Sequence, residues 1–401
     1  MKTNDNKSTR RHFLKQSGAL AASAALTGIL QPDWISPIQA ADQTNDDEPI
    51  RTFTIDFNYN QNGSPATPGR WADADPKEHV KWYSDLGCNT ITTFTIALNG
   101  YAWYKNGVVP EQPGLKYDFL TDIVQLAHQK KMKVMGYFCI GNNARWETEL
   151  NDSCYKEGLQ RIPFTKAYLD YLCASIGDSL KKTDMDGFML DWFHNPGGGR
   201  SPLPPLQWLP CEQEMYQELM DEKFPGKEKM TTEIELTFRR KSIERVWQQI
   251  KTTAKQIKPN CFIWLSSYDI KSLEYEGTSL LKEIDYLQSE YVDIQGMQEA
   301  HKYIGTQTKL IFCTANAKDQ DSFLKLVDDA MKHKIGTNDF ARADANSIKP
   351  PIAHYLAKPI EHFKVKANEF NHVQAIDFHI AVLARAYNHL PLNYVSVNKK
   401  Q

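Results

Sequence analysis

The sequence is poor in the features that would assign it quickly. Beyond its N-terminus, no run approaches the roughly 18 consecutive apolar residues that a membrane span requires. Lys plus Arg number 47 and Asp plus Glu 49, a formal net charge of -2. That balance leaves no global attraction for nucleic acid or anionic lipid. There is no CxxC and no Cys/His cluster at zinc spacing. The 11 His are scattered, with no His-x-His on the first strand-like run. These absences speak against a zinc site and against a metal-dependent amidohydrolase. No strand passes into a helix through G-x-G-x-x-G, which disfavours an open, doubly wound dinucleotide-binding sheet. No internal repeat is visible. What remains is ordinary globular material: 41% hydrophobic and 24% charged residues over 401 positions, too apolar for general disorder. This length suits a single α/β barrel.

The first forty residues differ from the rest. Ser8-Thr9-Arg10-Arg11-His12-Phe13-Leu14-Lys15 precedes a small-residue apolar stretch from Ser17 to Leu30, and Ala40 and Ala41 offer a cleavage point. Charged start, modest apolar stretch and small-residue exit are the parts of an export signal. The paired arginines are similar to a bacterial twin-arginine signal. Residues 1–41 are therefore expected to be a signal peptide and 42–50 a flexible leader, giving a periplasmic or secreted protein with no membrane segment after processing. The seven Cys make an odd count, so at least one lacks an intramolecular partner. Cys88, Cys139, Cys261 and Cys313 fall at or in apolar runs and read as buried, whereas Cys154 and Cys211 lie in loop-like sequence and could pair.

From residue 52 onward, short β-rich runs alternate with amphipathic segments. The runs are Thr52–Phe57, Thr90–Ile96, Lys133–Cys139, Gly187–Asp191, Cys261–Ser266, Asp285–Glu290, Lys309–Cys313 and Gly336–Phe340. Most are continuously apolar, as strands buried on both faces of a parallel sheet should be. Lys77–Leu86, Phe119–Lys131, Lys166–Lys182, Glu233–Lys258 and Gln320–Lys334 carry apolar residues at helical spacing. Asp75-Pro76 opens the first of these and Gly87 closes it; Thr165 can cap the third. Eight such units predict a single-domain (β/α)8 TIM barrel over residues 51–345, with residues 346–401 as C-terminal helices completing it. The stretch from Asp191 to the helix near Glu233 holds Gly197-Gly198-Gly199-Arg200 and Pro202, Pro204, Pro205 and Pro210, and reads as a flexible lid rather than a phosphate loop.

In such a barrel, catalytic groups stand at the C-terminal ends of strands and in the loops that follow. That filter leaves Asp56 and Asn58; Asn99, Tyr101 and Trp103; Asn142, Asn143, Arg145 and Trp146; Asp191, Trp192, His194 and Asn195; Tyr268 and Asp269; Glu290 and Tyr291; Asn316; and Asp339 or Arg342. The set is rich in carboxylates, amides and indoles. Indole faces stack on the C–H face of a sugar, amides and carboxylates bind its hydroxyls, and glycoside cleavage needs only two carboxyl groups. Asp191 and Glu290 are the two best placed. On position alone Asp191 could also be a helix cap and Glu290 half of a structural ion pair. Asp56 either binds a substrate hydroxyl or anchors the first βα loop. Of Trp103, Trp146 and Trp192, two are expected to line a cleft. Asn99, Tyr101, Asn142, His194 and Tyr268 are further candidates for substrate contact. Trp82, Trp247 and Trp264 fall inside elements and are expected in the core.

At Asp186-Gly187-Phe188-Met189-Leu190-Asp191-Trp192 the sequence resembles barrel glycoside hydrolases whose fourth strand ends in a nucleophilic Asp, including the α-L-fucosidase group. The likeness extends to Asn99-Gly100-Tyr101-Ala102-Trp103-Tyr104, Pro110-Glu111-Gln112-Pro113-Gly114-Leu115 and Lys133-Val134-Met135-Gly136-Tyr137-Phe138. Together these are similar to a family of exported glycosyl hydrolases. The resemblance implies a retaining mechanism with Asp191 as nucleophile and Glu290, protonated in a partly apolar pocket, as acid/base. It also implies an oligo- or polysaccharide substrate and no cofactor. The segment after Asp191 reads Trp-Phe-His-Asn-Pro and the His-rich early strand of fucosidases is absent, so the resemblance carries sugar chemistry rather than one sugar. A non-catalytic carbohydrate-binding barrel is the alternative.

Overall fold

Each of the eight β-rich runs is a strand in a computed structural model of the chain, which describes residues 48–60, 64–149, 155, 162–191, 193, 202–203, 205–290, 293–342, 352–363, 365 and 375–392. The strands are β1 (Arg51–Asp56), β2 (Thr90–Ile96), β3 (Lys133–Cys139), β4 (Gly187–Asp191), β5 (Phe262–Ser267), β6 (Tyr286–Ser289), β7 (Lys309–Cys313) and β8 (Gly336–Arg342). They pair in parallel, each with the next, and β8 returns to β1 to close the barrel. Closure removes the sheet edge, and the helices between strands cover the outer face. The expected (β/α)8 barrel is thus the observed fold.

The helices among the described residues are α1 (Pro76–Leu86), α2 (Phe119–Gln129), α3 (Ala144–Glu149), α4 (Lys166–Thr183), α5 (Pro210–Met220), α6 (Thr232–Ile257), α7 (Leu280–Glu283), α8 (Ile294–Ala300), α9 (Gln320–His333), α10 (Ile352–Ala357) and α11 (Ile376–Tyr387). Their ends follow local chemistry. The Asp75 carboxylate accepts from the backbone N–H of Lys77 at the start of α1, and Thr165 caps α4 by accepting from Tyr168. Gly87 ends α1 at φ 87°, a conformation that costs glycine little.

The stretch between β4 and α6 is not wholly the loop its prolines suggest. It contains α5, where Pro210 occupies the first turn and its missing N–H is one the helix leaves unpaired anyway. Trp208, Met215 and Tyr216 pack there with Phe238 of α6 into a satellite core. The Gly197–Arg200 segment lies outside the described residues, as do residues 1–47 and Cys154. No disulfide joins the described cysteines. No helix among the described residues is long and apolar enough to cross a membrane.

The last helix is fastened to the barrel's underside. The Tyr387 hydroxyl donates to the Thr52 carbonyl at 3.1 Å and bonds the Thr337 hydroxyl at 2.7 Å. The Asn388 amide donates to the Leu86 carbonyl at 3.3 Å. Higher on α11, His379 Nδ1 meets Asp339 Oδ2 of β8 at 3.0 Å, both side chains fully buried, and Phe323 of α9 stacks on the imidazole at 3.9 Å.

Candidate active site

A pocket of about 160 Å³ opens at the C-terminal end of the barrel, lined by Thr54, Asp56, Asn58, Tyr59, Phe94, Tyr137, Met189, Asp191, Tyr268, Gln288, Glu290, Asn338 and Phe340. Strand geometry explains the membership. Thr54 and Asp56, Met189 and Asp191, Gln288 and Glu290, and Asn338 and Phe340 are pairs two residues apart, and alternate side chains of a strand share a face. The carboxylates Asp56 and Asp191, which end β1 and β4, and Glu290, just past β6, form the rim, and their neighbours two positions earlier form the floor.

Asp191 is held from β3. Its Oδ2 accepts from the Tyr137 hydroxyl at 2.5 Å, and that hydroxyl accepts in turn from Asn58 Nδ2 at 3.2 Å. Asn58 is fixed at both ends: its Oδ1 accepts the Leu98 N–H at 2.7 Å, and its own N–H donates to Asp56 Oδ1 at 2.7 Å. Burial first, and then the charges of Asp191, Cys139 and Asp56, push the Tyr137 phenol well above its ordinary range, so it stays a donor.

Glu290 is held from β5, β6 and β7. Its Oε1 accepts from Ser266 Oγ and from Gln288 Nε2, each at 2.6 Å. The Cys313 thiol also bonds its carboxyl, and burial followed by the Glu290 charge raises that thiol well above the usual range. Behind Gln288, Asn338 Nδ2 donates to Gln288 Oε1 at 2.9 Å, and the Thr54 hydroxyl donates to Asn338 Oδ1 at 3.1 Å. Glu290 is 8% exposed, so its bonds are made away from bulk water.

Five of the residues singled out from sequence therefore share this pocket: Asp56, Asn58, Asp191, Tyr268 and Glu290. Other described candidates do not line it. Trp103 is buried, stacked on Phe57 at 4.4 Å and edge-on to Phe119. Trp146 is buried against Tyr168 and Tyr171. Both indoles belong to the packed interior beneath the loops rather than to a sugar-stacking cleft. Asn99 is buried and exchanges hydrogen bonds with Gln112, and it accepts the Tyr101 N–H, so Asn99 and Tyr101 shape the loop after β2. Asn142 is buried beside Asn143, whose Oδ1 accepts the N–H of Trp146 at the start of α3. Asp339 turns away from the pocket to His379 and Thr314. Trp192 and His194 lie outside the described residues, as do Asn195 and Tyr291. Among the described residues, no three His, Cys, Asp or Glu side chains are grouped to hold a metal ion.

Sequence reasoning passed over Tyr137, Gln288, Asn338 and Thr54. The available signal was the two-residue period: each stands two positions before a chosen carboxylate or the end of a run expected from sequence, in a strand otherwise read as apolar.

No model of a known protein family matches the chain, and no curated protein matches it. Among solved structures it is similar to α-L-fucosidase isoenzyme 2 from Paenibacillus thiaminolyticus, with 14% identity and a TM-score of 0.57 over 85% of this chain and 49% of that one. The chain thus spans about half the length of that protein. It is also similar to a β-galactosidase from Bacillus circulans sp. alkalophilus (12% identity, TM-score 0.49, 87% of this chain and 57% of that one). A third likeness is to an α-L-fucosidase from Lactobacillus casei in complex with α-L-fucose (10% identity, TM-score 0.45, 85% and 97%). The first of these carries the comparison, and at its identity the likeness is one of fold.

Proposed function

We propose that the protein is an exported glycoside hydrolase that cleaves O-glycosidic bonds of an oligo- or polysaccharide with retention. One observation carries the reading. Asp191 and Glu290, carried by the ends of β4 and β6, open into one pocket at the end of the barrel where catalysis is sited in this fold. Each is oriented by its own set of donors. The fold shared with the Paenibacillus α-L-fucosidase supports it, as do the strand-four resemblance and the twin-arginine-like N-terminus.

In this reading the Asp191 carboxylate, steadied by Tyr137, attacks the anomeric carbon while Glu290 protonates the departing glycosidic oxygen. A covalent glycosyl-enzyme and a free alcohol result. Water then adds to the same carbon, Glu290 takes its proton, and Asp191 is released. Asp56 and Tyr268 bind ring hydroxyls, and Phe94, Met189 and Phe340 supply the apolar wall. The residues need no cofactor for this chemistry.

The test is kinetic. Asp191→Asn and Glu290→Gln are each expected to lower kcat on activated aryl glycosides by at least about 10²-fold, with folding unchanged by circular dichroism. A 2-deoxy-2-fluoro glycoside is expected to add one sugar mass to Asp191. Parent-like rates in both variants overturn the assignment. Saturable sugar binding with no turnover by the parent makes the protein a carbohydrate-binding barrel instead.

A further inference from the structure

The polar side chains below Glu290 form a chain whose direction is fixed by its end. An ionised carboxylate only accepts hydrogen bonds, and Gln288 offers Glu290 Oε1 a polar atom at 2.6 Å, so that atom must be the NH2. The Gln288 carbonyl then faces Asn338, which must present its own NH2 at 2.9 Å. The Asn338 carbonyl is left for Thr54, which must donate its hydroxyl at 3.1 Å. Reversing any amide sets two acceptors against each other inside the barrel, where Thr54, Gln288 and Asn338 are all buried and an unpaired group is expensive. Ser266 adds a second donor to the same oxygen at 2.6 Å.

We propose that the chain Thr54–Asn338–Gln288 makes Oε1 of Glu290 a fixed acceptor, so that the proton Glu290 gives and takes travels on Oε2. The inference rests on the glycosidase reading of this pocket and adds positioning residues to it. During cleavage the Oε2 proton passes to the glycosidic oxygen as the C–O bond breaks. In the second half, water delivers a proton to Oε2 as its oxygen bonds the anomeric carbon. Oε1 keeps its two donors throughout, so no amide need turn over between the steps. Asn338 is two hydrogen bonds from the carboxyl and acts through Gln288. Among the described residues, the titratable groups around Glu290 include Cys313, bonded to it, the buried Asp339, whose charge acts on that thiol, and the pocket's Asp56, Tyr59, Tyr137, Asp191 and Tyr268.

Asn338→Asp tests the chain, because it replaces the NH2 that holds the Gln288 carbonyl with an acceptor and drives the Gln288 amide to turn over. An acceptor then faces Oε1, a clash that only a proton on Glu290 relieves. The basic limb of the pH profile of kcat/KM should move up by about one unit, with KM little changed. A new charge nearby also raises this limb directly, so the same substitution is made in Gln288→Met, which cannot relay. There the added shift should shrink to less than about a third of its size. An equal shift in both backgrounds, or none in either, overturns the relay.

A second measurement needs no substrate and no altered Asn338. In the parent protein the Gln288 side-chain amide signal, identified by its loss in Gln288→Met, should exchange slowly with solvent and shift as the pocket carboxyls titrate. Fast exchange without a pH response overturns the relay. A protein that shows the protected amide and cleaves no glycoside refutes the glycosidase reading alone; a glycosidase with a fast-exchanging amide loses the relay alone.

Discussion

Tyr137 is the residue whose removal best separates orientation from chemistry. Its hydroxyl joins Asn58 on β1's exit to Asp191 on β4 and remains protonated because burial and three neighbouring acids oppose its ionisation. Tyr137→Phe keeps the ring and its packing on Phe94 at 4.5 Å but leaves the Asp191 carboxylate without that donor. A hydrogen bond to a charged group contributes about 1.5–3 kcal/mol, so kcat/KM should fall about 10- to 100-fold while KM changes little. A parent-like rate would remove Tyr137 from the mechanism. The residue also shows what the sequence hides at this scale. Asp191 and Glu290 were legible as pocket residues because acids that close apolar strand runs stand at the C-terminal mouth of a barrel. Tyr137, Gln288 and Asn338 were not, since an isolated polar residue within a strand looks the same whether it faces the barrel axis or the helices. Trp103 and Trp146 misled for the opposite reason: a position just past a strand end can lie in a cleft or under a loop, and only packing decides between them.

At the scale of elements, boundaries followed backbone chemistry closely. Thr90–Ile96, Lys133–Cys139, Gly187–Asp191 and Lys309–Cys313 form strands over the very residues their apolar runs mark out, because a strand covered on both faces needs every position apolar or paired. Helix α5 escaped notice because prolines dominate the local pattern and its apolar face, Met215, Tyr216, Leu219 and Met220, is confined to its C-terminal half. The junction of α1 with α11 gives a test of how tightly such elements are set. A Cβ on Gly87 would lie 2.9 Å from both Tyr387 Cβ and Asn388 Nδ2, at a positive φ. A Cβ on Gly114, also at positive φ, would meet nothing within 4 Å. Gly114→Ala should therefore cost only the backbone strain, about 1 kcal/mol. Gly87→Ala should add an overpacking penalty of about 1–3 kcal/mol. Urea unfolding of the two variants measures the difference, and equal losses would mean that α11 moves aside at no cost.

The whole molecule has a stability that depends on protons held outside the pocket. His79 on α1 is 1% exposed, packed edge-on against Phe119 at 5.1 Å and Phe57 at 5.9 Å. Burial is the main cause that lowers its imidazole to about 3, against a small opposing pull from Asp75. A histidine lowered on folding contributes its stability above its unfolded value, near 6.5. That contribution is lost as pH falls toward 3, because the unfolded chain takes up a proton the native state refuses. His128 works in the other direction. Its hydrogen bond to Asp186, at 2.9 Å, raises the imidazole, so its contribution is complete below about 6.5 and fades as pH rises through the raised value. On the Asp186 side, burial pushes the carboxyl up, but the bonds from His128 and the Val134 N–H outweigh it and leave the group lowered. That part is present above about 4 and lost in acid. His79 is the fully buried imidazole of the two, whereas the His128 side chain is 37% exposed and screened by solvent. Replacing His79 by Leu removes the titration and keeps an apolar side chain between Phe57 and Phe119. The stability of the parent minus that of His79→Leu should then decline by about 1.4 kcal/mol per pH unit between roughly pH 6 and pH 4. Urea unfolding at stepped pH measures it, since every other titrating group is common to both proteins and cancels. A difference that stays constant over that interval would mean that the native state admits the proton, and that the packing around α1 opens to water before the barrel unfolds.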